Sequence, residues 1–139
     1  MQLADIRFIE QAPKASDFVA LRALIGWGTT PVELAQSSID SSLYTVSAYQ
    51  GEQLVATGRV VGDGYMYFYI QDVIVHPDCQ GLGLGAKVME YIESYLSKVC
   101  NKGATVGLFA AKGKEGFYQK FDYIERSGEP LGKGMCRFV

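Results

Sequence analysis

The stretch Asp72-Val-Ile-Val-His-Pro-Asp-Cys-Gln-Gly-Leu-Gly-Leu-Gly-Ala-Lys87 decides how this chain is read. A branched apolar strand runs into a glycine-rich loop. The loop opens directly into a segment in which Leu84, Val88, Ile92, Leu96 and Val99 recur at helical spacing. Gly81, Gly83 and Gly85 carry no Cβ, so the backbone can turn sharply and approach a ligand. The free amides of the first helical turn and the positive end of the helix dipole then face that ligand, which makes an anion site. Phosphate or pyrophosphate suits it.

Three glycine spacings occur at such places. A P-loop, G-x-x-x-x-G-K-[ST], fails here, because Gly81 is followed by Ala86, Lys87 and Val88. The dinucleotide fingerprint G-x-G-x-x-G/A is met by Gly81, Gly83 and Ala86. It also wants an acid about 20 residues on, at the end of a parallel strand. The next strand-like run, Thr105-Val-Gly-Leu-Phe-Ala110, ends in Ala111-Lys112 without one. The third pattern, [Q/R]-x-x-G-x-[G/A], is filled by Gln80, Gly83 and Gly85. It resembles the acetyl-CoA pyrophosphate loop of the GNAT-type N-acetyltransferase superfamily, short bacterial-type members above all. The His76-Pro77 ending of the strand fits that family too.

Size and composition bound the rest. The 139 residues suit a single domain, 1–139, and 48% hydrophobic residues can fill a core. A net charge of −2 suggests no nucleic-acid partner. No apolar run approaches the roughly 18–20 residues of a membrane span, and the start carries no signal-peptide pattern. Cys79, Cys100 and Cys136 are odd in number, widely spaced and without metal-ligand spacing. They point to a reducing, cytoplasmic location and no metal. Cys79, beside the glycine loop, is expected to be a buried and inert thiol rather than a reactive one.

Outward from the loop, residues 6–9 read as a strand. Ser16 is placed to cap a helix with Phe18, Leu21 and Leu24 or Ile25 on one face. Thr30-Pro-Val-Glu33 reads as a capping box with Pro31 at the first helical position, opening a helix with Val32, Leu34, Ala35 and Ile39. The period then changes to two. Residues 43–49, 54–61 and 65–75 form three strands, the last two joined at Gly62-Asp-Gly64. After the long helix come a strand over 105–110, a short helix over 115–120, and strands over 123–126 and 135–139. The expectation is an α/β domain with one mixed, twisted sheet of about six to seven strands flanked by helices, in the order βααβββαβαββ. Three antiparallel strands before the glycine loop disfavour a nucleotide-binding oxidoreductase, whose fingerprint follows the first strand of a βαβ unit.

That order is the order of the GNAT fold, so the resemblance covers nearly the whole chain. Gly116-Phe-Tyr-Gln-Lys-Phe-Asp-Tyr123 resembles the family's second signature, F-Y-x-K-x-G-F, through Phe117, Tyr118, Lys120 and Tyr123. Asp122 stands where glycine is usual, at a turn that favours a left-handed residue. Asp tolerates that conformation better than most. Ala111 stands where many relatives place a cofactor-contacting asparagine.

The resemblance implies acetyl-CoA as cosubstrate. Gln80, Gly81, Leu82, Gly83, Leu84, Gly85 and Ala86 would hold its pyrophosphate, and the backbone of Val73, Ile74 and Val75 its pantetheine arm. It makes Tyr118 the general acid at the departing sulfur. Asp72, an acid in an apolar run, is either a catalytic base or water-positioner, or one partner of a structural ion pair with Arg22 or Arg59. His76, the only histidine, is taken as structural. Trp27 and Tyr69 are candidates for the acceptor side, with Tyr65 and Tyr67 alternating along the same strand face. The expected activity is acetyl transfer to the primary amine of a small molecule by direct attack. A non-catalytic acyl-CoA sensor, or acetylation of a protein amine, is the alternative. A homodimer is compatible with all of these.

Overall fold

The computed structural model describes residues 2–139. The elements are β1 (Arg7–Ile9), α1 (Ala15–Leu24), α2 (Val32–Asp40), β2 (Tyr44–Gln50), β3 (Gln53–Gly62), β4 (Tyr67–Val75), α3 (Leu84–Val99), β5 (Thr105–Leu108) and α4 (Glu115–Gln119). Five strands form one sheet in the order β1-β2-β3-β4-β5. The pairs from β1 to β4 are antiparallel. β5 starts beside the start of β4, where the Thr105 amide donates to Met66 O at 2.8 Å. With α3 as the connection, β5 runs parallel to β4, and the sheet is mixed.

Two helical starts differ from expectation. α1 begins at Ala15 with Lys14 as N-cap, so Ser16 lies inside the first turn and caps nothing. Ala15 is buried against Phe18, Ala35 and Ile39, and this contact draws the helix forward. α2 begins at Val32 with Pro31 itself as N-cap and no side-chain cap. Pro31 is extended (ψ 135°), which puts Thr30 one residue too far back to reach the amides of the first turn. The β3–β4 turn forms as expected, but β4 starts at Tyr67 rather than residue 65. Asp63 Oδ1 accepts from the amides of Tyr65, Met66 and Tyr67 at 2.8, 2.9 and 3.0 Å, which holds those residues in the turn.

The helices pack on both faces of the sheet. Leu21 of α1 packs with Leu54 and Ile74, and Ile25, not Leu24, continues that face. Val88 and Ile92 of α3 pack over Gly58, beside Val73. Val73 and Ile74 are neighbours on one strand, so the two helices cover opposite faces. On α3, Leu84, Val88, Ile92 and Leu96 of the predicted stripe are buried, with Met89 added, but Val99 at the last turn is exposed.

Between β3 and β4 the register breaks: Thr57 faces Ile74, but Arg59 faces Gln71. Gly58 therefore opposes two residues, Asp72 and Val73, in a β-bulge. Asp72 carries its turn, with a left-handed φ of 55°.

The chain divides into two compact units, Met1–Val106 and Gly107–Val139. In the second, α4 forms, but the strands expected over 123–126 and 135–139 do not. The sheet thus has five strands rather than six to seven. Ile124 is 81% exposed, and Met135 and Phe138 are exposed as well. Alternating apolar residues mark a segment able to pair, but a strand also needs a partner edge for its amides and carbonyls.

Candidate active site

The loop after β4 is built by local bonds. The His76 amide donates to Val55 O at 2.7 Å, which holds the strand end on the sheet. The His76 Nδ1 accepts from the Asp78 amide at 3.1 Å and caps a short 3-10 turn, Pro77–Cys79. The only histidine is therefore a structural cap. Cys79 is buried, and burial raises its thiol pKa, which keeps it inert. Gln80 donates through Nε2 to Val75 O at 3.4 Å, tying the loop back to the strand.

Gly81 (φ 85°) and Gly83 (φ 83°) both lie in the left-handed region. A Cβ at either would meet nothing within 4 Å, so the loop borders open space. Gly83 is the N-cap of α3. It offers no side chain to the first turn, and that turn holds no acid. The amides of Leu84, Gly85 and Ala86 precede the first intrahelical ring, which closes from the Lys87 amide to Gly83 O at 3.1 Å. Leu84 is itself buried, and its burial anchors the helix start under the loop. This is the geometry of an anion cradle at the head of a 16-residue helix.

Behind the loop, Ile74 directs its side chain into the core with Leu21 and Leu54, so only its backbone can serve a ligand. Val73 and Val75 are half-buried. Asp72 is the centre of a buried ion cluster. Arg22 Nη1 donates to Oδ1, and Arg59 Nε donates to Oδ2 at 2.9 Å. The Asp72 side chain is 2% exposed. Of the roles open to Asp72, the ion pair is the one the geometry displays, with both arginines rather than one. Both carboxylate oxygens are engaged by a guanidinium.

Trp27 follows the end of α1 and is partly exposed, with the Arg22 guanidinium 5.4 Å from its ring. Tyr65 and Tyr67 are exposed at the hairpin, and Tyr69 is half-buried further along β4. Tyr118 lies in the second unit, on α4, edge-on to Phe117 at 5.0 Å. Burial raises its phenol pKa above 10.0. Asp122 has the left-handed φ, 68°, that its place in the signature requires.

Gly58 is the residue the sequence reading passed over. A Cβ there would stand 2.6 Å from Val88 Cγ1 and 3.0 Å from Ile92 Cδ1. A glycine inside a strand is itself a signal of a bulge or a close approach, and here it marks both.

The acetyltransferase (GNAT) domain model matches residues 28–139. An uncharacterized ycf52-like N-acetyltransferase from Prochlorococcus marinus is 32% identical, over 94% of this chain and 73% of its own. The ycf52 N-acetyltransferase of Porphyra purpurea is 33% identical, over 80% of this chain and 64% of its own. In structure, a probable acetyltransferase from meticillin-resistant Staphylococcus aureus superposes with a TM-score of 0.88 at 30% identity. That match covers 96% of this chain and 99% of the other. Among the described residues no helix is long and apolar enough to cross a membrane. The glycine loop on its bulged strand, the element order around it and these likenesses agree: the chain belongs to the GNAT family of acetyltransferase domains, an acyltransferase class.

Proposed function

We propose that this chain moves an acetyl group from acetyl-CoA to the primary amine of a small molecule, by direct attack and without an acyl-enzyme. The observation that carries this reading is the loop over residues 80–86. Two left-handed glycines bordered by open space precede a helix start with no side-chain cap, whose first amides have no intrahelical acceptor. A diphosphate fits such a cradle, since its oxygens accept what the amides donate.

In this reading Gly81, Leu82, Gly83, Leu84, Gly85 and Ala86 hold the diphosphate, with Gln80 fixing the loop to β4. Val73, Ile74 and Val75 offer backbone groups to the pantetheine arm, as a sheet edge does to a peptide. Acetyl-CoA supplies the activated thioester. Tyr118 would give its proton to the departing sulfur and be reprotonated by the one the attacking amine loses. A phenol is protonated at neutral pH, and burial raises its pKa further. Asp72 holds the bulge in place and so sets where the Val73 backbone points. Trp27 and Tyr69 line the acceptor side, which favours a compact, partly apolar amine.

The test is a panel of small primary amines and lysine-rich peptides, read by thiol release and by the mass of the product. Amine-dependent acetylation of small amines is expected. Efficient peptide acetylation with negligible small-amine turnover would move the acceptor to proteins. Acetyl-CoA binding with no turnover on any amine would make the chain a sensor.

A further inference from the structure

The two arginines around Asp72 are not used alike. Arg59 is saturated. Besides Asp72, it donates through Nη1 to Ser38 O at 3.0 Å and Ser42 Oγ at 3.1 Å, and through Nη2 to Ser38 Oγ at 3.0 Å. Its side chain is 10% exposed, and it braces α2 to the sheet. Arg22 reaches Asp72 through Nη1 alone. Its Nε and Nη2 have no partner among the described residues, and its side chain is 22% exposed.

Two guanidinium groups share one carboxylate, so the cluster keeps one positive charge in excess. That excess lies on the exposed edge of Arg22. The edge does not float: Phe18 and Trp27 lie 5.8 and 5.4 Å from the guanidinium carbon, and Asp72 anchors one nitrogen. A guanidinium fixed on one side with free donors on the other is a ready fork for a carboxylate or phosphate. Its anchor is one residue from Val73, on the strand that leads into the glycine loop. Trp27, the candidate acceptor-side residue, covers its flank.

We propose that Arg22 is a specificity residue of the acceptor site, binding an anionic group, carboxylate or phosphate, carried by the amine that is acetylated. This rests on the acetyltransferase reading above. The acceptor then has a positive end and a negative end. Trp27 packs on the carbon between them, and Arg22 takes the negative end while the amine faces β4.

The experiment compares two matched pairs of primary amines on the intact chain. One pair is an amino acid and its amide, and the other is an aminoalkyl phosphate and its alcohol. The anionic member of at least one pair is expected to have a kcat/KM about 10–100-fold higher, carried by KM, as for a lost charge-assisted bond. Whichever pair shows it identifies the anion. Arg22→Gln should bring that pair within about threefold, and Arg22→Lys should restore part of the difference. Wild-type ratios within about threefold for both pairs would overturn the proposal, as would a preference unchanged in a folded Arg22→Gln. The wild-type comparison decides even if the variant does not fold. Acetylation without anionic preference defeats this inference alone, whereas no acetylation of any amine defeats the acetyltransferase reading with it.

Discussion

Arg59 Nε donates to Asp72 Oδ2 at 2.9 Å across the β3–β4 pair, where one residue of β3 opposes two of β4. The bond fastens the extra residue of the bulge. Asp72 adopts a φ of 55°, which a non-glycine residue holds only when its surroundings over-determine it. Two guanidinium groups supply that constraint, and the bulge re-aims the strand that enters the glycine loop.

Asp72→Asn should therefore act on stability. It removes the charge that compensates two partly buried arginines, at a cost of about 3 kcal/mol. For a chain of this size the melting temperature should fall by roughly 10 °C. Folded molecules should keep the wild-type pH–rate profile. Loss of the acidic limb of that profile with an unchanged melting temperature would return Asp72 to the role of base.

Gly58→Ala should destabilise through overpacking, because its Cβ would stand 2.6 Å from Val88 Cγ1. A cost of about 1–3 kcal/mol is expected in urea unfolding. Adding Val88→Ala should recover part of it. Additive losses in the double variant would show that the two sites do not meet.

Much of this architecture was legible because it rests on local periodicity. Leu84, Val88, Ile92, Leu96 and Val99 marked one face of α3, and all but Val99 at its end are buried. Asp122 was expected in the left-handed conformation from its place in the signature, and it is there. The bulge was not legible in Val73-Ile-Val75, because an extra residue is defined by the partner strand. Only Gly58 on that partner hinted at it. The cap of α1 lies two residues before Ser16 and that of α2 one residue after Thr30, because the burial of Ala15 and the fixed backbone of Pro31 outweighed the capping side chains. The segments over 123–126 and 135–139 have strand-like patterns but no strand pairing, which no local pattern can announce.

Tyr118→Phe should lower turnover by about 10²–10⁴-fold while acetyl-CoA affinity is kept, the range for a lost general acid. An acid works while protonated, so the contribution of Tyr118 is constant at low pH, where any acidic limb reports other groups such as the acceptor amine, and is lost as pH rises through the phenol pKa. Burial moves that pKa above its ordinary 10.0, so no alkaline limb from Tyr118 should appear below pH 10. Near-normal turnover in the variant would make Tyr118 a packing residue.

Tyr44→Phe should change alkaline stability. The Tyr44 hydroxyl donates to Glu10 Oε1 at 2.8 Å, and burial followed by this bond pushes its pKa upward from 10.0. The folded chain then holds a proton that the unfolded chain releases. The contribution is complete below pH 10 and is lost as pH rises from there toward the folded value. The variant should lose less stability between neutral pH and pH 11 than the wild type. Identical alkaline losses would show that Tyr44 ionises alike in both states.

The most direct measurement is calorimetric binding of acetyl-CoA to the wild type and to Gly83→Val, with the fold of the variant checked by circular dichroism. Gly83 holds a φ of 83°, and the space where a side chain would stand is open. A branched side chain there strains the turn and fills the cradle. The wild type should bind, and the folded variant should lose at least about tenfold in affinity, roughly 1.4 kcal/mol. Equal affinity in the two proteins, or no binding by the wild type, would contradict the assignment of the loop over residues 80–86 to the diphosphate of acetyl-CoA.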